Sequence, residues 1–119
     1  MANDTLTQLR DVLRMFAAER DWDQFHTPKN LATALSVEAA ELLEHFQWLT
    51  DDQSRNLPGG TKQAVAEEMA DVLLYLVRLA DKLDVDLGDA ARRKIELNAA
   101  KYPVELARGN AMKHTKLTR

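Results

Sequence analysis

Apolar residues recur along this chain at helical spacing, and no segment alternates convincingly as a half-buried strand would. Leu6, Leu9, Val12, Leu13 and Phe16 form one stripe behind Asp4 and Thr5, which predicts a first helix over residues 5–19 with one of those two as N-cap. The segment WDQFHTP interrupts that rhythm and reads as a connector. Pro28 suits the first turn of a second helix, over 28–49, whose apolar stripe continues to Leu49. After the loop TDDQSRNLPGG, a third helix is predicted over 61–83 and a fourth over 87–101, with Asp86 as N-cap and Tyr102-Pro103 as the stop. Residues 104–119 mix Gly109 with Lys113, Lys116 and Arg119, and are expected to be irregular or docked on a partner subunit. The fold class is therefore all-α, a single domain over 1–119 built on a four-helix subunit.

The third helix is apolar on two sides. Val65, Val72, Leu76 and Leu83 gather on one, while Ala70, Leu73 and Val77 cover much of the other. A four-helix subunit usually leaves each helix one wet face, so this helix is expected to bury its second face against another copy of the chain.

Four acids interrupt these apolar helices. Glu38 and Glu41 in SVEAAELL, and Glu68 and Asp71 in EEMADVLL, form two pairs of three-residue spacing. That spacing puts both members of a pair on one helix face, with Cβ atoms about 5–6 Å apart, so each pair can converge on one hard cation. Carboxylates near an apolar core need a cation or a basic partner, or else they become neutral. An all-oxygen set with open positions matches Mg²⁺, which keeps waters and binds substrate phosphates, whereas zinc prefers His or Cys. The competing assignment is solvated helix-edge acids in surface salt bridges. A di-iron bundle would require a Glu-x-x-His motif on each of two helices, which this chain lacks.

Composition narrows the ligand further. The 119 residues carry 16 Lys plus Arg against 19 Asp plus Glu, a net charge of −3, so no global basic field draws in a nucleic-acid polymer or an anionic membrane. Any anionic ligand must be held locally. The absence of cysteine excludes disulfides, thiolate metal sites and thiol catalysis. The apolar run over 72–77 is far shorter than the roughly 18 residues of a membrane span, and MANDTLTQLR lacks a signal-peptide core. A soluble, cytoplasmic protein is expected.

Groups able to hold such a ligand are present. Lys94, Asn98 and Lys101 share one face of the fourth helix with Leu87 and Ala91, and two cations with an amide suit phosphate oxygens. The same lysines can also snorkel over apolar surface to water. Trp22, Phe25, His26, Trp48 and Tyr75 can form an aromatic box for a nucleobase, although aromatics at helical spacing also serve as core. Trp22 and His26 lie in a connector, where binding residues concentrate. His45 is expected to be structural. Walker A and GxGxxG patterns are absent.

The stretches FAAERDWDQFHTPKNL, ELLEHFQWLTD, EEMADVLLYLVRLADKLDVDL and the K-x-x-x-N-x-x-KYP run resemble the MazG-like all-α nucleoside triphosphate pyrophosphohydrolases, most of all their dCTP pyrophosphatase branch. The resemblance covers about residues 6–108. It implies a four-helix subunit paired through helices into a dimer or tetramer, and Mg²⁺-dependent cleavage of a deoxynucleoside triphosphate to monophosphate and pyrophosphate. Carried over by position, Glu38, Glu41, Glu68 and Asp71 would ligate Mg²⁺. Trp22, Asp23, Gln24, Phe25 and His26, with Trp48 and Tyr75, would line the pocket for base and sugar, while Lys94, Asn98 and Lys101 would face the triphosphate. Some relatives present a histidine on the first helix where this chain has Leu13.

The mechanism expected on that footing is metal-assisted attack of water on the α-phosphorus, with Glu41 and Glu38 as the catalytic acids and Glu41 orienting or deprotonating the water. The expected substrates are dCTP and modified forms such as 5-methyl-dCTP. The rivals are a same-fold pyrophosphohydrolase for dUTP or other non-standard nucleotides, and a non-enzymatic helical interaction protein whose acids solvate a dimer seam.

Overall fold

A computed structural model describes residues 4–118, and among them every regular element is helical. Helix α1, Thr5–Glu19, starts where the Asp4 carboxylate accepts the Thr7 N–H at 2.7 Å. It ends in a left-handed Asp21 at φ 54°, with the Asp21 N–H donating to the Ala18 carbonyl and the Trp22 N–H to the Ala17 carbonyl. This closing pattern is the Schellman type, and it turns Trp22 directly into the 3-10 turn Asp23–Phe25. Thr27 then caps α2, Pro28–Glu44, with proline in the first turn, where its missing N–H costs nothing.

Helix α2 stops at Glu44, short of Leu49, to which the apolar rhythm pointed. The His45 and Phe46 N–H groups fold back to the Leu42 and Leu43 carbonyls, so the chain tightens and turns while Phe46 and Leu49 still sit at helical spacing in sequence. The expected loop beyond it holds a short helix α3, Asp51–Arg55, nucleated by a capping box in which the Thr50 hydroxyl and the Gln53 amide satisfy each other's backbone N–H groups. Pro58 opens α4, Gly59–Lys82, two residues ahead of the expected start at Thr61. Its far end repeats the device that closes α1: Asp84 is left-handed at φ 55°, and the Val85 N–H reaches the Ala80 carbonyl at 2.8 Å.

The chain divides into two compact units, one up to Val85 and one from Asp86 onward. In the first, α4 packs against α2 and α1, around the buried Ala17, Leu31, Val65, Val77 and Ala80. Met69 and Leu73, on the other side of α4, are exposed, so the described residues of the first unit do not cover that helix all round. The second unit holds α5, Leu87–Lys101, whose N-cap Asp86 accepts the Asp89 N–H at 3.0 Å. It continues through α6, Val104–Ala107, and the 3-10 turn His114–Lys116. The segment read as irregular is thus partly helical: Pro103 starts α6, and Gly109 at φ 79° follows it. Tyr102 and His114 meet edge to face at 5.8 Å. Among the described residues no helix is long and apolar enough to cross a membrane.

Candidate active site

Two helices in contact, α2 and α4, bring acids together. Glu38 and Glu41 come from α2 and Glu68 from α4, and one carboxylate oxygen of each lies within 4.8 Å of the others. All three are half-buried. The Oε2 atoms of Glu38 and Glu68 are buried without a hydrogen-bond partner, which is costly for ionised acids. A half-buried carboxyl crowded by other carboxyls holds its proton more tightly. In keeping with that, the adjoining Glu68 carboxyl pushes Glu38 up to about 7 from 4.5, and burial, Glu41 and Asp71 push the same way. Asp71 itself is exposed and stands apart from the triad, one turn along α4 from Glu68.

The donor set suits a hard divalent cation. It is all oxygen, it converges, and two of its buried oxygens have no hydrogen-bond partner among the described residues. A cation held there would satisfy Glu38 and Glu68 together.

Beside the acids lies a cavity of about 240 Å³ lined by Leu13, Phe16, Ala17, Trp22, His26, Asp71, Leu74, Tyr75 and Arg78. Each lining element has a simple origin. Leu13, Phe16 and Ala17 are the inner stripe of α1; Asp71, Leu74, Tyr75 and Arg78 follow one another at three- and four-residue spacing along one face of α4. Trp22 and His26 flank the 3-10 turn. Trp22 stands edge-on to both Phe16 and His26, at centroid distances of 5.7 and 6.3 Å. A flat ligand entering this space would meet aromatic walls on one side and an acid on the other.

The 3-10 turn is held by charge. Arg78, buried in α4, donates from Nε to His26 Nδ1 at 3.1 Å and from Nη2 to Asp23 Oδ1 at 2.6 Å. Lys82 also donates to Asp23, and this contact, ahead of Arg78, keeps the Asp23 carboxyl below its ordinary range. Asp81 takes two hydrogen bonds from Arg14, at 2.8 and 2.5 Å, and lies 3.6 Å from Arg78, so its carboxyl is also held low. Burial, followed by the charges of Arg78 and Lys82, keeps His26 below 6.5, with Asp23 opposing.

Of the residues expected to line a pocket, Trp22, His26 and Tyr75 surround the cavity and Asp71 joins them. Asp23 is engaged by Arg78 and Lys82, and the Gln24 amide is turned back onto Asp21. Phe25 and Trp48 are outside the lining; Trp48 is 85% exposed, because the chain has left the helix before reaching it. Lys94, Asn98 and Lys101 are exposed on α5 in the second unit. Sequence reasoning missed Phe16, Leu74 and above all Arg78, although the Asp71, Tyr75, Arg78 progression was visible as one helical stripe.

Known proteins resemble this chain closely. The model of the MazG-like family matches residues 33–117. The dCTP pyrophosphatase 1 of Mus musculus is 47% identical over 117 residues, covering 97% of this chain and 69% of that protein. The Homo sapiens dCTP pyrophosphatase 1 is 46% identical, covering 95% and 68%. Among solved structures, a pyrophosphatase from Archaeoglobus fulgidus superposes with a TM-score of 0.79 at 44% identity, over 85% of this chain and 94% of that one.

Proposed function

The chain belongs to the MazG-like family of all-α nucleoside triphosphate pyrophosphohydrolases, and on that footing we propose that it hydrolyses dCTP and its modified forms, such as 5-methyl-dCTP, to monophosphate and pyrophosphate with Mg²⁺. The observation that carries this reading is the pair of buried, unpartnered carboxylate oxygens on Glu38 and Glu68 close to an aromatic-lined cavity. The acids lack positive charge and the cavity has flat walls, which is what a metal-bound nucleotide supplies and requires. The names of the relatives from Mus musculus and Homo sapiens support dCTP as the substrate.

We assign the cation to Glu38, Glu41 and Glu68, with Asp71 beside them at the cavity wall. When bound it supplies neutralising charge and polarises phosphate oxygens. Glu41 orients the attacking water by accepting its hydrogen bond, and a carboxylate oxygen of Glu41 or Glu38 takes its proton. The water oxygen bonds to the α-phosphorus in line as the bond from that phosphorus to the bridging oxygen of the β-phosphate breaks, and pyrophosphate leaves with the electron pair. Trp22, His26 and Tyr75 hold base and sugar, and Leu13 and Phe16 exclude water from that end. By their chemistry, Lys94, Asn98 and Lys101 on α5 are the donors suited to phosphate oxygens. The exposed Met69 and Leu73, on the helix that carries two of the acids, support a homo-oligomer that covers them. The family match spans both units, which supports their working as one domain.

The test is incubation with each common deoxynucleoside triphosphate, dUTP and 5-methyl-dCTP, with and without Mg²⁺, followed by product separation. Monophosphate and pyrophosphate from the cytidine forms are expected. Diphosphate with orthophosphate, or preferred turnover of dUTP, would overturn the assignment.

A further inference from the structure

Arg78 is a buried charged side chain of the first unit's core, 6% exposed, and it lines the cavity. Two of its donors are taken by protein, Nε by His26 and Nη2 by Asp23, and Nη1 stands at ion-pair distance, 3.6 Å, from Asp81. An arginine serving phosphate directly would keep its fork open. The informative contact is the one to His26. A guanidinium Nε–H can only donate, so His26 Nδ1 must be the unprotonated nitrogen that accepts. Neutral imidazole carries a single N–H, which then sits on Nε2.

We infer that Arg78 is a positioning residue that fixes His26 in the Nε2–H tautomer, so that the cavity presents a hydrogen-bond donor there and recognises an acceptor on its ligand: a carbonyl oxygen, a ring nitrogen or a sugar oxygen. The groups around the imidazole agree. Trp22 meets its ring edge-on, and the nearby charges of Arg78 and Lys82 oppose a second proton more than Asp23 favours it. Asp81, three residues along α4 and fixed by two bonds from Arg14 of α1, and Asp23 of the 3-10 turn, shared with Lys82, hold the guanidinium. A direct consequence is that His26 alone cannot tell cytosine from uracil, since both offer acceptors. An exocyclic amino group must be read by another atom.

The inference rests on the cavity being the substrate pocket, and its test separates the two. In the ¹⁵N-labelled full chain without nucleotide, near pH 8, where histidine is neutral, long-range ¹H–¹⁵N correlations should show His26 Nδ1 unprotonated and Nε2 protonated. An Nδ1–H pattern, or averaging between the tautomers, would overturn the positioning role. Arg78→Met should shift His26 towards the mixture. With dCTP and Mg²⁺ it should raise KM about tenfold, the scale of one lost hydrogen bond, with a much smaller change in kcat; an unchanged KM would overturn the recognition. The wild-type spectrum decides even if Arg78→Met fails to fold. A chain with the Nε2–H tautomer but no turnover of dCTP would sink the substrate assignment and leave the positioning intact.

Discussion

Helix α4 carries two clusters of acids that look alike in sequence and are opposites in the fold. Near its middle, Glu68 meets Glu38 and Glu41, and two buried oxygens find no hydrogen-bond partner among the described residues. Towards its end, Asp81 and the neighbouring Asp23 are bonded by Arg14, Arg78 and Lys82. The first cluster raises a carboxyl pKa and the second lowers two. Charge balance therefore separates site from scaffold where composition alone cannot. On the function proposed above, acids that the protein neutralises itself hold the fold, and acids left unbalanced take the cation.

The contrast predicts opposite outcomes for similar substitutions. Glu68→Gln should lower kcat at least about a hundredfold, the scale for losing a group that stabilises transition-state charge, while raising stability without cation by about 1 kcal/mol through relief of like charge. Turnover of purified protein and thermal melting in a chelator measure the two effects. A variant that lost stability and kept activity would break the contrast from the acidic side.

Asp81→Asn should do the reverse. It leaves Arg14 and Arg78 facing a neutral amide and should cost about 2–4 kcal/mol, approaching that of breaking a buried ion pair, with denaturant unfolding as the readout. Activity of the folded fraction should fall much less than in Glu68→Gln.

The neutralised corner also predicts an acid-sensitive stability. The folded His26 pKa lies below its unfolded value, so the unfolded chain binds the proton more readily; stability is full above about pH 6.5 and falls as pH drops through that value. Asp81 and Asp23 are likewise depressed, and their contribution is present above about pH 3.9 and lost as pH falls through their lowered values. In a Glu38→Gln background, which removes the opposite contribution of a carboxyl raised to about 7, melting temperature should thus decline in two stages on acidification, and His26→Gln should remove the first. A profile flat from pH 7 to about pH 5 would show that the corner does not hold His26 neutral.

The smallest effect concerns the turns that close α1 and α4. Asp84 sits at φ 55°, a region glycine enters without penalty, so Asp84→Gly should stabilise by about 0.5–1 kcal/mol. Asp21→Gly should gain less, because the Asp21 carboxylate also receives the Gln24 amide.

Much of this was legible in sequence. The stripe from Leu6 to Phe16 behind Asp4 or Thr5, Pro28, and the cap at Asp86 define α1, the start of α2 and α5 in sequence, since a cap or a first-turn proline acts locally. The end of α2 was misread because Phe46 and Leu49 prolong the stripe, although Thr50 and Gln53 already spelled the capping box that restarts the chain as α3. The convergence of the three glutamates is legible in sequence because carboxylates inside apolar stripes are conspicuous. Arg78 was missed because a lone cation on an apolar helix is ordinarily read as solvated; its three partners come from Asp23, His26 and Asp81, two of them far away in sequence. Trp48 lies outside the cavity lining, since the angle that groups it with the other aromatics runs along a helix that ends at Glu44.

Thermal melting of the wild type and Glu68→Gln, each with and without Mg²⁺ and with no nucleotide present, tests the central claim most directly. Mg²⁺ should raise the melting temperature of the wild type, and Glu68→Gln should melt higher than the wild type in chelator and respond little to the ion. A wild type indifferent to Mg²⁺, with Glu68→Gln melting lower than it, would contradict the account.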